Sequence, residues 1–159
     1  MYQRILVPVD GSATSNAGLA EARKLARITG GQIQLLHVID DMPMMLAGEG
    51  YGAISADVMG VWIEAGRALL RKARTAVEQD GVPVDSVLVE TPGSRLSDAV
   101  MKQALKWQAD LIVLGTHGRR GVGRVLMGSD AEQVVRSSPV PVLLVRASDP
   151  AIGPAVGAG

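Results

Sequence analysis

Cysteine is absent from the 159-residue chain. That excludes disulfides, a thiolate nucleophile and any Cys-ligated metal. The two histidines stand far apart, at positions 37 and 117, too few and too separated for a zinc site. Phenylalanine is also absent, and aromatics make up only 3% of a chain that is 47% hydrophobic. The core must therefore be built from Val, Leu, Ile, Ala and Met. Neither sign of charge is in excess: 16 Lys and Arg balance 16 Asp and Glu. With no basic stripe, nucleic acid is not the expected partner. No apolar run approaches the length of a transmembrane helix. The first such run, Ile5–Val9, is short and interrupted by Pro8, unlike a signal peptide. The expectation is a cytoplasmic protein with no membrane partner.

Short apolar runs alternate with helical periodicity five times. Arg4–Val9 reads as a strand, and Asp10-Gly11-Ser12 turns it into a helix. Leu19, Ala22, Ala26 and Thr29 form one face of that helix, which stops at Gly30-Gly31. Gln32–Ile39 is a second strand. Asp41–Ala56 breaks the pattern with glycines and methionines and is expected to be a mobile lid. Ser55 or Asp57 then caps a helix with Val58, Trp62, Ala65, Leu69 and Ala76 on one face. Val84–Glu90 is strand three. Ser94 caps a helix with Leu96, Val100, Ala104 and Trp107 inward. Asp110–Leu114 and Val140–Val145 are strands four and five, flanking a glycine-rich loop and a last helix. Such alternation predicts a parallel sheet between two helical layers with right-handed crossovers. Residues 1–147 read as one domain and 148–159, mostly Gly, Ala and Pro, as a flexible tail.

The glycine-rich loop is the most telling segment. Gly115-Thr-His-Gly118-Arg-Arg-Gly-Val-Gly-Arg-Val-Leu-Met-Gly128 follows a buried strand and precedes a helix that begins near Ser129. Bare backbone N–H groups and the positive end of a helix dipole favour an anion at such a place. Arg119, Arg120 and Arg124 add positive charge, and no Asp or Glu lies between Gly115 and Gly128. The loop is not a Walker P-loop: Gly123 and Gly128 have the spacing, but Ser129-Asp130 replaces the Lys-Ser/Thr pair. No Gly-X-Gly-X-X-Gly follows the first strand. Ser129-Asp-Ala-Glu132 is at the same time a plain capping box, which needs no ligand.

Gly115-X2-Gly118-X9-Gly128-Ser129 resembles the ATP-binding signature of the universal stress protein family. Ile5-Leu-Val-Pro-Val-Asp10-Gly-Ser12 and Pro139-Val-Pro-Val-Leu-Leu-Val145 resemble that family's first and last strands. The resemblance covers about residues 2–147. It implies a three-layer α/β sandwich, Rossmann-like and akin to the adenine nucleotide alpha hydrolases, with strand order 3-2-1-4-5. It also implies a stress-response regulator that binds ATP where strands one and four diverge. That order puts strand five at the sheet edge, where its apolar Val140, Val142, Leu143, Leu144 and Val145 predict a homodimer through it. On the ATP-binding reading Pro8 and Val9 line an adenine pocket, Asp10 meets the ribose, and Gly115, Thr116, Gly118, Arg119, Gly128 and Ser129 surround the phosphates. The local alternative for Asp10, less favoured, is an Asx-turn residue or the N-cap of helix one. Val38 is either the far wall of the pocket or plain core. Asp130 and Glu132 would compete with phosphate for the helix terminus. Asp130 then points outward, weakens binding, or is bridged to the phosphates by a divalent cation such as Mg2+. A weak ATPase or nucleotidyl transferase is an alternative function, although the His-X-Gly-His and Ser-Gly-Gly-X-Asp-Ser motifs of such transferases are missing. A nucleotide-free interaction module is another. The parts of phosphoryl transfer are not evident in the sequence, so no catalytic residue is assigned.

Overall fold

The computed structural model describes residues 1–39, 56–90, 95–116 and 129–147. Five parallel strands, β1 (Arg4–Pro8), β2 (Gln32–Ile39), β3 (Val84–Glu90), β4 (Leu111–Thr116) and β5 (Val142–Arg146), form one sheet in the order β3-β2-β1-β4-β5. Helices α1 (Ala13–Thr29) and α2 (Ala56–Glu78) cover one face; α3 (Leu96–Trp107) and α4 (Ser129–Ser137) cover the other. The expected three-layer sandwich and strand order are therefore correct.

Alternation along the strands divides the core in two. Ile5, Val7, Ile33, Leu35, Leu111 and Val113 pack against Leu19, Ala22, Ala26, Leu70 and Val77. Leu6, Leu36, Ile112 and Leu114 pack against Val100, Ala104 and Val134. Burial on both faces explains why β1 and β4 read as continuous apolar runs. Inside the second layer, Gln103 donates to Gln34 at 2.6 Å, and Gln34 donates in turn to Asp85 at 3.2 Å. This chain fixes α3 over β2.

The ends of several elements differ from the sequence expectation. The N-cap of α1 is Ser12, whose hydroxyl accepts from the Ser15 N–H at 3.1 Å, and not Asp10. At its other end Gly30, at φ 66°, donates its N–H to Ala26, a left-handed cap that suits glycine. The buried stripe of α2 is Gly66, Leu70 and Val77, while Ala65 is exposed and Trp62 and Leu69 are half-buried. Helix α3 is capped by Arg95, which makes no side-chain capping bond; Ser94 lies outside the described residues. Strand β4 runs two residues past Leu114, so Gly115 and Thr116 belong to the strand and not to the loop. Strand β5 starts at Val142, because Pro139 and Pro141 delay it. The 41–55 segment and the tail from 148 lie outside the described residues.

Candidate functional site

Strands β1 and β4 are joined firmly at one end and separate at the other. At the amino end, the Asp110 carboxylate accepts from the Gln3 and Arg4 N–H groups at 2.8 and 3.0 Å, and the Asp110 N–H donates to Arg4. The β1–β4 register then spans only Ile5↔Leu111 and Leu6↔Ile112, whereas β1 stays paired with β2 as far as Pro8. Beyond Leu6 the two strands diverge, and a crevice of about 270 Å³ opens at their carboxyl ends. This is the switch point at which open α/β sheets hold ligands.

The crevice is lined by Pro8 at the end of β1 and Val9 and Asp10 after it, by Val38 on β2, by Gly115 and Thr116 at the end of β4, and by Asp130 on α4. Seven of the residues picked out in the sequence thus converge there, from four separate elements. Ser129 opens α4 and is exposed but does not line the crevice. Gly118, Arg119 and Gly128, with His117, Arg120 and Arg124, lie outside the described residues.

Asp10 sits at the mouth. Its Oδ1 accepts from the Ser12 N–H at 2.9 Å and its own N–H donates to Ser15 Oγ at 3.2 Å. The first bond is an Asx turn, so the local reading of Asp10 holds. Partial burial pushes its pKa up, but hydrogen bonds from the Ser12 hydroxyl, the Ser12 N–H and Ser15 outweigh it and hold the carboxyl below its ordinary value. Asp10 is therefore an anion at neutral pH, and the exposed side chain keeps acceptor capacity beyond the Asx turn.

Sequence reasoning missed the contribution of α1. Ser12, Thr14 and Ser15 line the crevice beside Asp10, and the first turn of α1 carries no acid. The first turn of α4 holds both Asp130 and Glu132. The run Ser12-Ala-Thr14-Ser15 was the available signal, but it reads as ordinary capping. Helix α1 also lies very close to β4. A Cβ on Gly18 would come within 2.8 Å of the Gly115 nitrogen, and a Cβ on Gly115 would run into the Thr14 carbonyl. Gly115 is thus demanded by packing, whatever the crevice binds.

Among the described residues no group of three or more His, Cys, Asp or Glu side chains is placed to hold a metal. Nor is any described helix long and apolar enough to cross a membrane.

The model of the universal stress protein family matches residues 1–146. The chain belongs to that family. Universal stress protein MJ0531 of Methanocaldococcus jannaschii is 31% identical over 92% of this chain and 83% of its own. A universal stress protein of Thermus aquaticus is 32% identical, over 92% of this chain and all of its own. The solved structure of MJ0577, from the same archaeon as MJ0531, superposes with a TM-score of 0.75 at 26% identity, covering 94% of this chain and 99% of that one. A universal stress protein from Archaeoglobus fulgidus, solved in complex with dAMP, shares the fold at TM-score 0.60 and 23% identity, over 91% and 98% of the two chains.

Proposed function

We propose that this family member is an ATP-binding stress-response regulator that holds its nucleotide at the carboxyl ends of β1 and β4. The observation that carries the reading is the crevice itself, with an ionised, partly engaged Asp10 at its mouth and apolar walls behind. The adenine packs against Pro8, Val9 and Val38. Asp10 accepts from the ribose hydroxyls, since a carboxylate has lone pairs for both its Asx turn and a diol. The phosphates run from Gly115 and Thr116 toward Gly118, Arg119, Gly128 and Ser129. The dAMP complex of the Archaeoglobus protein supports an adenine nucleotide as the ligand class.

The place of Asp130 in the crevice lining supports two of its three readings over an outward-pointing side chain: it weakens phosphate binding, or it shares a cation with the phosphates. Mg2+ is commonly held by one or two carboxylates plus phosphate oxygens. Asp130 and Asp10 are the carboxylates of the lining, so Mg2+ fits only with the nucleotide present. The reading is one of binding, with any turnover slow or dependent on a partner, since no P-loop lysine or general base is evident in the sequence. We further propose a homodimer formed through β5.

Equilibrium dialysis with labelled ATP, with and without Mg2+, tests the site. The wild type retains ATP, and Gly128→Val blocks the phosphate path and abolishes retention. Unchanged retention by Gly128→Val removes the loop from the site. A wild type that retains no nucleotide overturns the reading and favours an interaction module.

A further inference from the structure

His37 stands on β2 with its ring on the α2 side of the sheet, yet it lines the nucleotide crevice on one side and a groove against Trp62, Gly66 and Leu69 on the other. Its Nδ1 donates to the Val9 carbonyl at 2.7 Å. Val9 is the residue immediately after β1 and immediately before Asp10. The Val9 N–H already donates to the Leu36 carbonyl at 2.8 Å. The ring therefore anchors the one peptide that carries Asp10, just where the regular β1–β2 pairing ends at Pro8↔Leu36. The far side of the ring is equally constrained. A Cβ on Gly66 would lie 2.8 Å from His37 Cδ2, 3.2 Å from Nε2 and 2.9 Å from the Leu88 side chain. Only glycine on α2 lets the imidazole stay where Nδ1 reaches Val9.

We infer that His37 is a positioning residue for Asp10, and that through Gly66 it ties the seating of α2 to nucleotide affinity and to the recognition of the ribose. The inference rests on the ATP-binding reading above. It needs no contact between His37 and the nucleotide, because the effect travels through the Val9 carbonyl. Asparagine places a donor close to where Nδ1 stands and keeps the bond. Leucine keeps the bulk and loses it. Alanine at position 66 pushes the ring away without substituting any residue of the crevice lining.

The test is calorimetric titration of ATP and 2′-deoxy-ATP into folded wild type, His37→Leu, His37→Asn and Gly66→Ala, with the thermal midpoint of each recorded. Wild type is expected to prefer ATP. His37→Leu should weaken ATP binding about tenfold, the scale of one hydrogen bond, and lose most of the ATP preference. His37→Asn should restore both to within about threefold of wild type, and Gly66→Ala should follow His37→Leu. Gly66→Ala carries the same test if His37→Leu does not fold. Lowered thermal midpoints with unchanged affinity and unchanged ATP preference mean that His37 only holds the fold together, and overturn the inference while leaving the binding site standing. A wild type that takes up neither nucleotide overturns the binding reading, and this inference falls with it.

Discussion

At the scale of single residues, Gly115 and Asp10 each answer to two demands. Glycine spacing marks Gly115 as part of a phosphate loop, but the contact of α1 with β4 explains it without any ligand. Gly115→Ala should lower stability by about 1–3 kcal/mol, as overpacking does, in urea unfolding of the nucleotide-free protein. A loss below about 0.5 kcal/mol, the range of neutral surface changes, contradicts the close approach. Asp10 gives a prediction of opposite origin. Its folded pKa lies below the ordinary value. The stability it contributes is therefore fully present above the unfolded carboxylate pKa, about 4, and is lost as pH falls through the folded value. Asp80, held down mainly by its hydrogen bond from Arg23 at 2.6 Å, has the same sign. Asp10→Asn should flatten the acid limb of the stability–pH curve in part, with the Asp80 share remaining. An unaltered acid limb shows that the Ser12 and Ser15 bonds do not hold the charged form. The convergence of Asp10 with Gly115 was legible in the motifs, because signatures record chemistry. The packing role of Gly115 was not, because its partner, the Thr14 backbone, has no sequence signal.

At the scale of elements, strands read more truly than helix faces and caps. β2 and β3 have the expected bounds, since both are rich in Val, Ile and Leu and β2 begins straight after Gly30-Gly31. β4 exceeds its apolar run because Gly115 and Thr116 still pair with Val145 and Arg146 of β5, a tertiary contact that no local window contains. In α2 the many small residues, Ala65, Gly66, Ala68, Ala73 and Ala76, blur the periodicity. The true stripe is rotated toward Gly66, where the helix can sit down on His37 and Leu88. Helix α3 exposes a fault that can be repaired. Arg95 has the extended φ,ψ of an N-cap, −75° and 150°, but offers no acceptor to the helix. Asp98 already stands at the third helical position. Arg95→Ser should supply the missing acceptor and stabilise the protein by about 0.5–1 kcal/mol. For a domain of this size that corresponds to a rise in melting temperature of about 1–4 °C. No rise in a calorimetric scan means that the terminal N–H groups are already satisfied.

At the scale of the whole molecule, the question is what meets the β5 edge of the sheet. β5 pairs with β4 on one side, and as the last strand in the order it has no neighbour on the other among the described residues. It is apolar through Val142, Leu143, Leu144 and Val145. An open edge of that kind is a template for pairing with another chain. Its side chains do not all face the same fate. Leu143 and Val145 pack on the α1 layer and Val142 on the α3 layer, whereas Leu144 is 37% exposed. Val135 on α4, the helix covering the same face as Leu144, is 40% exposed. A two-fold antiparallel pairing of two β5 strands satisfies both rows of backbone groups and makes one continuous sheet across an isologous interface. This choice of side chain matters for the experiment. Leu143→Lys would put a charge against the core and confuse dissociation with unfolding. Leu144→Lys places like charges near the two-fold and leaves the core cluster intact. Wild type should sediment as a dimer at micromolar concentration, with a melting temperature that rises with protein concentration. Leu144→Lys should sediment as a monomer and lose that concentration dependence. Dimers that persist in Leu144→Lys point to another surface, and a monomeric wild type removes the β5 pairing altogether.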